Sequence, residues 1–219
     1  MPPFRLPQRL IDRSSVDYFK KEKDWQKRPK EKTLQGEKIY YLFDYYPHGH
    51  SPINKYLQTA NQHIKGLKSD RLTTKDEAEK WFATVLSKRA PIDNKWIWSY
   101  VPSSDPRSLF TGVRDLAKRM NEKSITSPRT PKILERKSSI KTKEYNADGS
   151  FKEKIYRTVK EHELTLGLAG NRSLSGLKII LLDDVVTSGS SIIACRNLLL
   201  KANVRDVMML GLGLTLKKR

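Results

Sequence analysis

The chain has 219 residues, of which 37% are hydrophobic, and Lys plus Arg exceed Asp plus Glu by 19. That length suits one substantial α/β domain with an appendage, or two small ones. A single cysteine excludes a disulfide framework and a cysteine zinc site, and the absence of any apolar run of ~18 residues, or of an apolar signal core, predicts a soluble cytoplasmic protein with no membrane association. The positive excess is spread along the whole chain and favours polyanionic partners: nucleic acid, a pyrophosphate-bearing substrate or an acidic protein. Oligomeric state is not legible.

Residues 1–35 form a basic N-terminal extension in which Lys20, Lys21, Lys23, Lys27, Arg28, Lys30 and Lys32 crowd together with scattered apolar residues such as Leu10 and Trp25. It reads either as a solvated extension or as an arm that docks on a partner or nucleic acid. A domain over 36–219 follows. Lys38–Tyr46 is rich in β-formers and ends at the turn Pro47-His48-Gly49-His50, where two histidines without neighbouring acids or cysteines suit a turn better than a metal site. Ser51-Pro52 opens a helix with Ile53, Tyr56, Leu57, Ala60, Ile64 and Leu67 on one face. Thr73 or Thr74 starts the next, with Glu77 placed for a capping box and Ala78, Trp81, Phe82, Val85 and Leu86 as its buried stripe.

Lys95–Val101 reads as the first core strand, followed by the small polar loop Pro102-Ser103-Ser104-Asp105-Pro106-Arg107 and a helix with Leu109, Val113, Leu116, Ala117 and Met120 inward. Residues 128–160 carry ten basic residues against four acids. They suit a mobile flap or a solvated charged hairpin, with a short strand at Lys132–Glu135 and a tip at Asn146–Ser150. Ile179-Ile180-Leu181-Leu182 then reads as a parallel strand buried on both faces. Asp183 and Asp184 follow it, then Thr187, Ser188, Gly189, Ser190 and Ser191, and a helix spaced by Ile192, Ile193, Cys195, Leu198 and Leu199. Helix-start amides and hydroxyls take a phosphate, and paired carboxylates accept from ribose hydroxyls, so this order of parts suits a phosphorylated sugar. Arg205–Thr215 is a last buried strand whose glycines mark close backbone packing.

The stretch Ile179–Ser191 closely resembles the phosphoribosyl-pyrophosphate (PRPP) motif of type I phosphoribosyltransferases: four apolar residues, two acids, then a Thr/Ser/Gly loop. More loosely, residues 38–216 resemble the ComF-like, amidophosphoribosyltransferase-type branch, without the four-cysteine zinc ribbon with which many of its members begin. The resemblance implies an α/β fold with a central, mostly parallel sheet flanked by helices. It implies PRPP and Mg²⁺ as ligands, with transfer of phosphoribosyl to a nitrogenous acceptor and release of pyrophosphate. Asp183 and Asp184 would hold the ribose hydroxyls and, indirectly, Mg²⁺. Residues 187–191 would cradle the 5′-phosphate, and Pro102, Ser103, Ser104 and Arg107 would contact pyrophosphate. A flap at 128–160 would close over the reacting centre. The alternative is a non-catalytic or repurposed module of the same fold that binds nucleic acid or a protein, for instance as effector in a retron-like defence complex beside a reverse transcriptase.

Overall fold

Ile179, Ile180, Leu181 and Leu182 have no exposed surface, which a strand achieves only when layers cover both of its faces. The computed structural model supplies those layers and describes residues 29–46, 55–89, 96–107, 112–122, 132–140, 143–145, 151–154 and 157–215. The strands are β1 (Lys30–Leu34), β2 (Glu37–Tyr45), β3 (Trp96–Tyr100), β4 (Leu134–Arg136), β5 (Lys143–Tyr145), β6 (Phe151–Lys154), β7 (Leu166–Leu168), β8 (Lys178–Val186) and β9 (Asp206–Thr215). The helices are α1 (Lys55–Gly66), α2 (Leu72–Arg89), α3 (Gly112–Asn121), α4 (Val159–Thr165) and α5 (Ser190–Lys201).

Five strands form one sheet in the order β1-β2-β9-β8-β3. Only β1 runs antiparallel to its neighbour; β2, β9, β8 and β3 pair in parallel. One face is covered by α1, α2 and α3, whose Ile64, Trp81, Phe82, Leu86 and Leu116 meet Phe43, Trp98, Ile180 and Leu182. The other face is covered by α5 and the β4–β7 pair, where Ile133, Leu134, Ile192 and Leu199 meet Ile39, Ile179 and Leu181. The protein is therefore α/β, with a mostly parallel sheet between helical layers. Among the described residues no helix is long and apolar enough to cross a membrane.

The expected stripes are buried as read: Ala78, Trp81, Phe82, Val85 and Leu86 on α2, and Val113, Leu116, Ala117 and Met120 on α3. A Cβ on Gly211 would meet Val186 Cγ2 at 2.8 Å and one on Gly213 would meet Ile64 Cδ1 at 2.9 Å, so these glycines do serve close packing. Cys195 is fully buried, a small core residue.

Three local expectations change, and one element is added. Lys30–Leu34, read as part of the extension, pairs with β2 and completes the sheet, because Gln35 and Gly36 take positive φ and close a tight hairpin. Helix α2 begins at Leu72, so Thr73 and Thr74 lie inside its first turn instead of capping it; Ser69 Oγ accepts from the Arg71 N–H just ahead of that turn. Strand β3 lies at the sheet edge, yet its residues stay buried because Asn121 of α3 bonds both the N–H and C=O of Trp98, at 2.8 Å each. Between the basic segment and β8 lies a short helix, α4, closed by a capping box in which Thr158 and Glu161 bond each other's backbone N–H. Residues 143–145 and 151–154 pair as an antiparallel hairpin. The tip at 146–150, the His48 and His50 turn, Leu109 and residues 1–28 lie outside the described residues.

Candidate functional site

The site is made by a mismatch in strand length. Strand β3 stops at Tyr100, paired with Leu182, whereas β8 continues to Val186. Asp183 and Asp184 therefore belong to the strand itself and do not follow its end. Strand β9 still pairs with them on one side, with Asp183 opposite Gly211. On the other side the freed edge opens into a cavity of about 620 Å³, a volume typical of small-molecule sites. The cavity lies at the carboxyl ends of parallel strands, where open α/β sheets place their ligands.

Successive strand residues point to opposite faces, so the two acids reach different layers, but their carboxyls stay close enough to each other to hydrogen-bond at the cavity. Asp184 Oδ2 lies 2.5 Å from Lys68 Nζ, just after α1 on the helix α1–α3 face. Asp183 faces the α5 layer, where its charge acts on the Cys195 thiol. Burial, followed by the neighbouring charge of Asp184, holds the Asp183 carboxyl well above the usual carboxylate range. Desolvation opposes the charge of Lys68, but Asp184, and after it Asp183 and Tyr45, hold the ammonium above its ordinary value.

The loop after β8 brings Thr187, Ser188, Gly189, Ser190 and Ser191 to the same cavity. Gly189 caps α5 at φ 82°, a left-handed conformation that glycine adopts without strain. Its Cα is also crowded: an added Cβ would lie 3.0 Å from Ile39 Cδ1. Gly189 supplies no side chain to bond the first amides of α5; Ser190 N–H donates to Ser188 Oγ at 3.4 Å, and the amides after it, with the helix dipole, face the cavity mouth. Ser188 Oγ lies 3.2 Å from Ser190 Oγ. The hairpin residue Gln35 reaches over this loop, and its Nε2 donates to Ser188 O and to Ser190 Oγ, both at 2.9 Å.

The loop after β3 forms the adjoining wall. Val101 N–H donates to Leu182 O at 2.8 Å, which fixes the start of the loop beside the acids. Pro102, Ser103 and Ser104 line the cavity. Arg107 does not reach it: the side chain is 86% exposed and paired with Asp105. A different arginine stands in this wall. Arg136 ends β4, is only 6% exposed, and lines the cavity. Its Nε donates to Ser103 O at 3.1 Å, and its Nη1 donates to Thr165 Oγ1 at 2.5 Å. Arg157 and His162, on either side of the α4 start, complete this wall. Burial, then the charges of Arg136 and Arg157, lowers His162 to about 4. The imidazole is therefore neutral at physiological pH, and its Nδ1 has no hydrogen-bond partner.

Among the described residues no group of three or more His, Cys, Asp or Glu side chains is assembled to enclose a metal. Two adjacent carboxylates at a cavity still fit Mg²⁺, a hard cation that keeps several waters and shares the oxygens of a phosphorylated ligand.

Both sequence-identified loops thus meet Asp183 and Asp184 at one cavity, while Arg107 stays away. Sequence reasoning gave no individual site role to Gln35, Lys68 or His162, and placed Arg136 and Arg157 only among the basic residues of the 128–160 flap. One signal was available: Thr158-x-x-Glu161 is a capping-box spacing that places His162 in the first turn of a helix. No protein-family model matches the chain, and no curated protein matches it.

Proposed function

We propose that the chain is a phosphoribosyltransferase of the type I fold that binds PRPP with Mg²⁺, or a related ribose 5-phosphate or nucleotide. It transfers phosphoribosyl to a nitrogenous acceptor and releases pyrophosphate. The observation that carries this reading is the meeting, at one cavity, of the strand carboxylates Asp183 and Asp184, the uncapped start of α5 and the Ser103–Ser104 loop.

The 5′-phosphate takes the amides and hydroxyls of Ser188, Ser190 and Ser191, because an anion at a helix N-terminus gains both orphan donors and the dipole. Asp183 and Asp184 accept hydrogen bonds from the ribose 2′- and 3′-hydroxyls, which orients C1 of the sugar toward the Ser103–Ser104 loop. Asp183 and Asp184 are also the residues that would hold Mg²⁺, through waters and the donor's own oxygens. Such an ion partly neutralises the pyrophosphate and makes it a better leaving group. The acceptor nitrogen forms a bond to C1, the C1–O bond breaks, and its electron pair leaves with pyrophosphate. The acceptor nitrogen loses a proton if it carried one. Catalysis on these terms is mainly positioning and charge stabilisation.

The net charge of +19 favours a second reading, a module of this fold that binds PRPP or a nucleotide and attaches to nucleic acid or a protein without turnover. Pyrophosphate release, screened over nitrogenous acceptors with and without co-purified nucleic acid, separates the two. An enzyme releases pyrophosphate with at least one acceptor; a binding module gives calorimetric heat with PRPP–Mg²⁺ and releases none. No heat with PRPP–Mg²⁺, ribose 5-phosphate or a nucleotide removes both readings.

A further inference from the structure

Both carboxylate oxygens of Asp184 have a partner within the protein. Oδ1 accepts the Val185 N–H at 2.6 Å, and Oδ2 lies 2.5 Å from Lys68 Nζ. Beside it, Asp183 Oδ1 accepts the Asp184 N–H at 2.9 Å. Among the described residues, Lys68 is the one cation within ion-pair distance of either acid. Its place is set by the backbone. Leu67 N–H donates to His63 O and Lys68 N–H to Lys65 O, both at 3.0 Å, which closes the end of α1. Leu67 is buried, and a Cβ on Gly112 would overlap its carbonyl oxygen, so the first residue of α3 packs directly on the residue before Lys68. From this anchored segment the ammonium reaches β8 just past the point where β3 stops pairing with it.

We propose that Lys68 is the resident counter-cation of the acid pair. It does at Asp184 what a divalent ion would do, so the sugar end of the site takes ribose 5′-monophosphates, free or as nucleotides, without metal. The proposal rests on the phosphorylated-ribose reading above and concerns that same site. Two adjacent carboxylates repel each other, and a cation at hydrogen-bond distance offsets that repulsion. Each carboxylate oxygen keeps a second lone pair, so a neutral ribose hydroxyl can still donate to Asp184. A second cation there would meet the charge of the ammonium and would have to displace it. A 5′-monophosphate carries its own charge at the other end, where the start of α5 receives it. The need for Mg²⁺ then follows the pyrophosphate of PRPP and not its ribose.

Ribose 5-phosphate and inorganic phosphate are the probes, titrated calorimetrically into the full chain in chelator and again in excess Mg²⁺. Wild type should bind ribose 5-phosphate within about twofold in the two buffers. Lys68→Met should lose about tenfold in chelator and recover about threefold or more of that with Mg²⁺. Its affinity for inorganic phosphate, which needs only the α5 loop, should stay within about twofold. Lys68→Arg restores the cation and should regain most of the affinity in chelator. Wild-type binding that requires Mg²⁺ overturns the proposal and leaves the ribose reading standing. So does a Lys68→Met protein that matches wild type in chelator, that Mg²⁺ fails to rescue, or that loses inorganic phosphate to the same extent. The last result would make Lys68 a general attractant for anions. If wild type binds ribose 5-phosphate in neither buffer, the phosphorylated-ribose reading itself falls, and the role of Lys68 falls with it.

Discussion

Lys68 Nζ and Asp184 Oδ2 lie 2.5 Å apart, joining the end of α1 to the acid-bearing segment of β8 across the cavity edge. The Lys68 side chain is 59% exposed, and exposed pairs of this kind contribute about 0–1 kcal/mol to stability. The contact therefore matters to the ligand more than to the fold. It offsets the repulsion between two adjacent carboxylates and leaves a cation where an anionic donor must enter. Lys68→Met should weaken PRPP–Mg²⁺ binding about tenfold, roughly 1.4 kcal/mol, while thermal unfolding shifts by no more than a few degrees. Calorimetry and a melting curve on one preparation test both halves.

Asp183 links function and stability with opposite signs. Its carboxyl is held above the usual range by burial and by Asp184, so the folded state binds a proton that the unfolded chain has released. Stability therefore falls as pH rises from the ordinary carboxylate value through the raised folded value. Asp183→Asn keeps the shape and removes the titration. The variant should be more stable than wild type at neutral pH, equal to it at low pH, and unable to bind ribose 5-phosphate. Urea unfolding at several pH values, with binding measured alongside, provides the check. Equal stability of the two proteins at every pH would show that the carboxyl is not strained.

The layers of the fold were legible because they rest on local patterns. Four apolar residues in a row mark β8, and 3.6-residue spacing marks α2 and α3. The site was legible only where one segment carries several of its parts, as Asp183 through Ser191 do. Gln35, Lys68 and Arg136 meet the motif through sheet order and layer packing, since Gln35 and Ser188 are 153 positions apart. No periodicity encodes such a contact. Arg107 shows the reverse error: it lay in the right loop, but three residues past Ser104, the last loop residue at the cavity, its side chain turned to solvent and Asp105.

Gln35 gives that missed relationship a direct test. Its Nε2 ties the β1–β2 hairpin to Ser188 O and Ser190 Oγ, and its backbone has φ 51°, which asparagine tolerates well. Gln35→Asn keeps the turn and shortens the side chain by one methylene, so the amide no longer reaches the loop. Losing hydrogen bonds worth about 0.5–1.5 kcal/mol each from a loop that must be pre-shaped should weaken inorganic phosphate and ribose 5-phosphate binding about three- to tenfold. Unchanged phosphate affinity would show that the loop holds its shape without the hairpin.

Gly189 is the least replaceable residue of the loop, for two reasons that add. At φ 82° an L side chain is strained by about 1–2 kcal/mol. A Cβ there would also stand 3.0 Å from Ile39 Cδ1 and 3.3 Å from Leu34 Cδ1. Gly189→Ala should cost about 2 kcal/mol of stability and at least tenfold in phosphate affinity, measured by urea unfolding and calorimetry. Ser191→Ala, which keeps the backbone, should leave stability within about 0.5 kcal/mol.

Acid sensitivity of the fold should be set in part by His63, away from the cavity. Its ring stacks on Trp81 with centroids 4.7 Å apart, and burial lowers it to about 4. In the unfolded chain the imidazole titrates near its ordinary value of about 6.5. Between those two values the unfolded state holds a proton that the folded state refuses. The stabilisation is complete above about pH 6.5 and is lost as pH falls toward about 4, with a full effect on the order of 3 kcal/mol. His63→Phe retains a ring against Trp81 and cannot titrate. It should unfold at nearly the same denaturant concentration as wild type at pH 7.5 and at a clearly higher one at pH 4.5. Parallel acid curves for the two proteins would show that His63 is protonated in the folded state without cost.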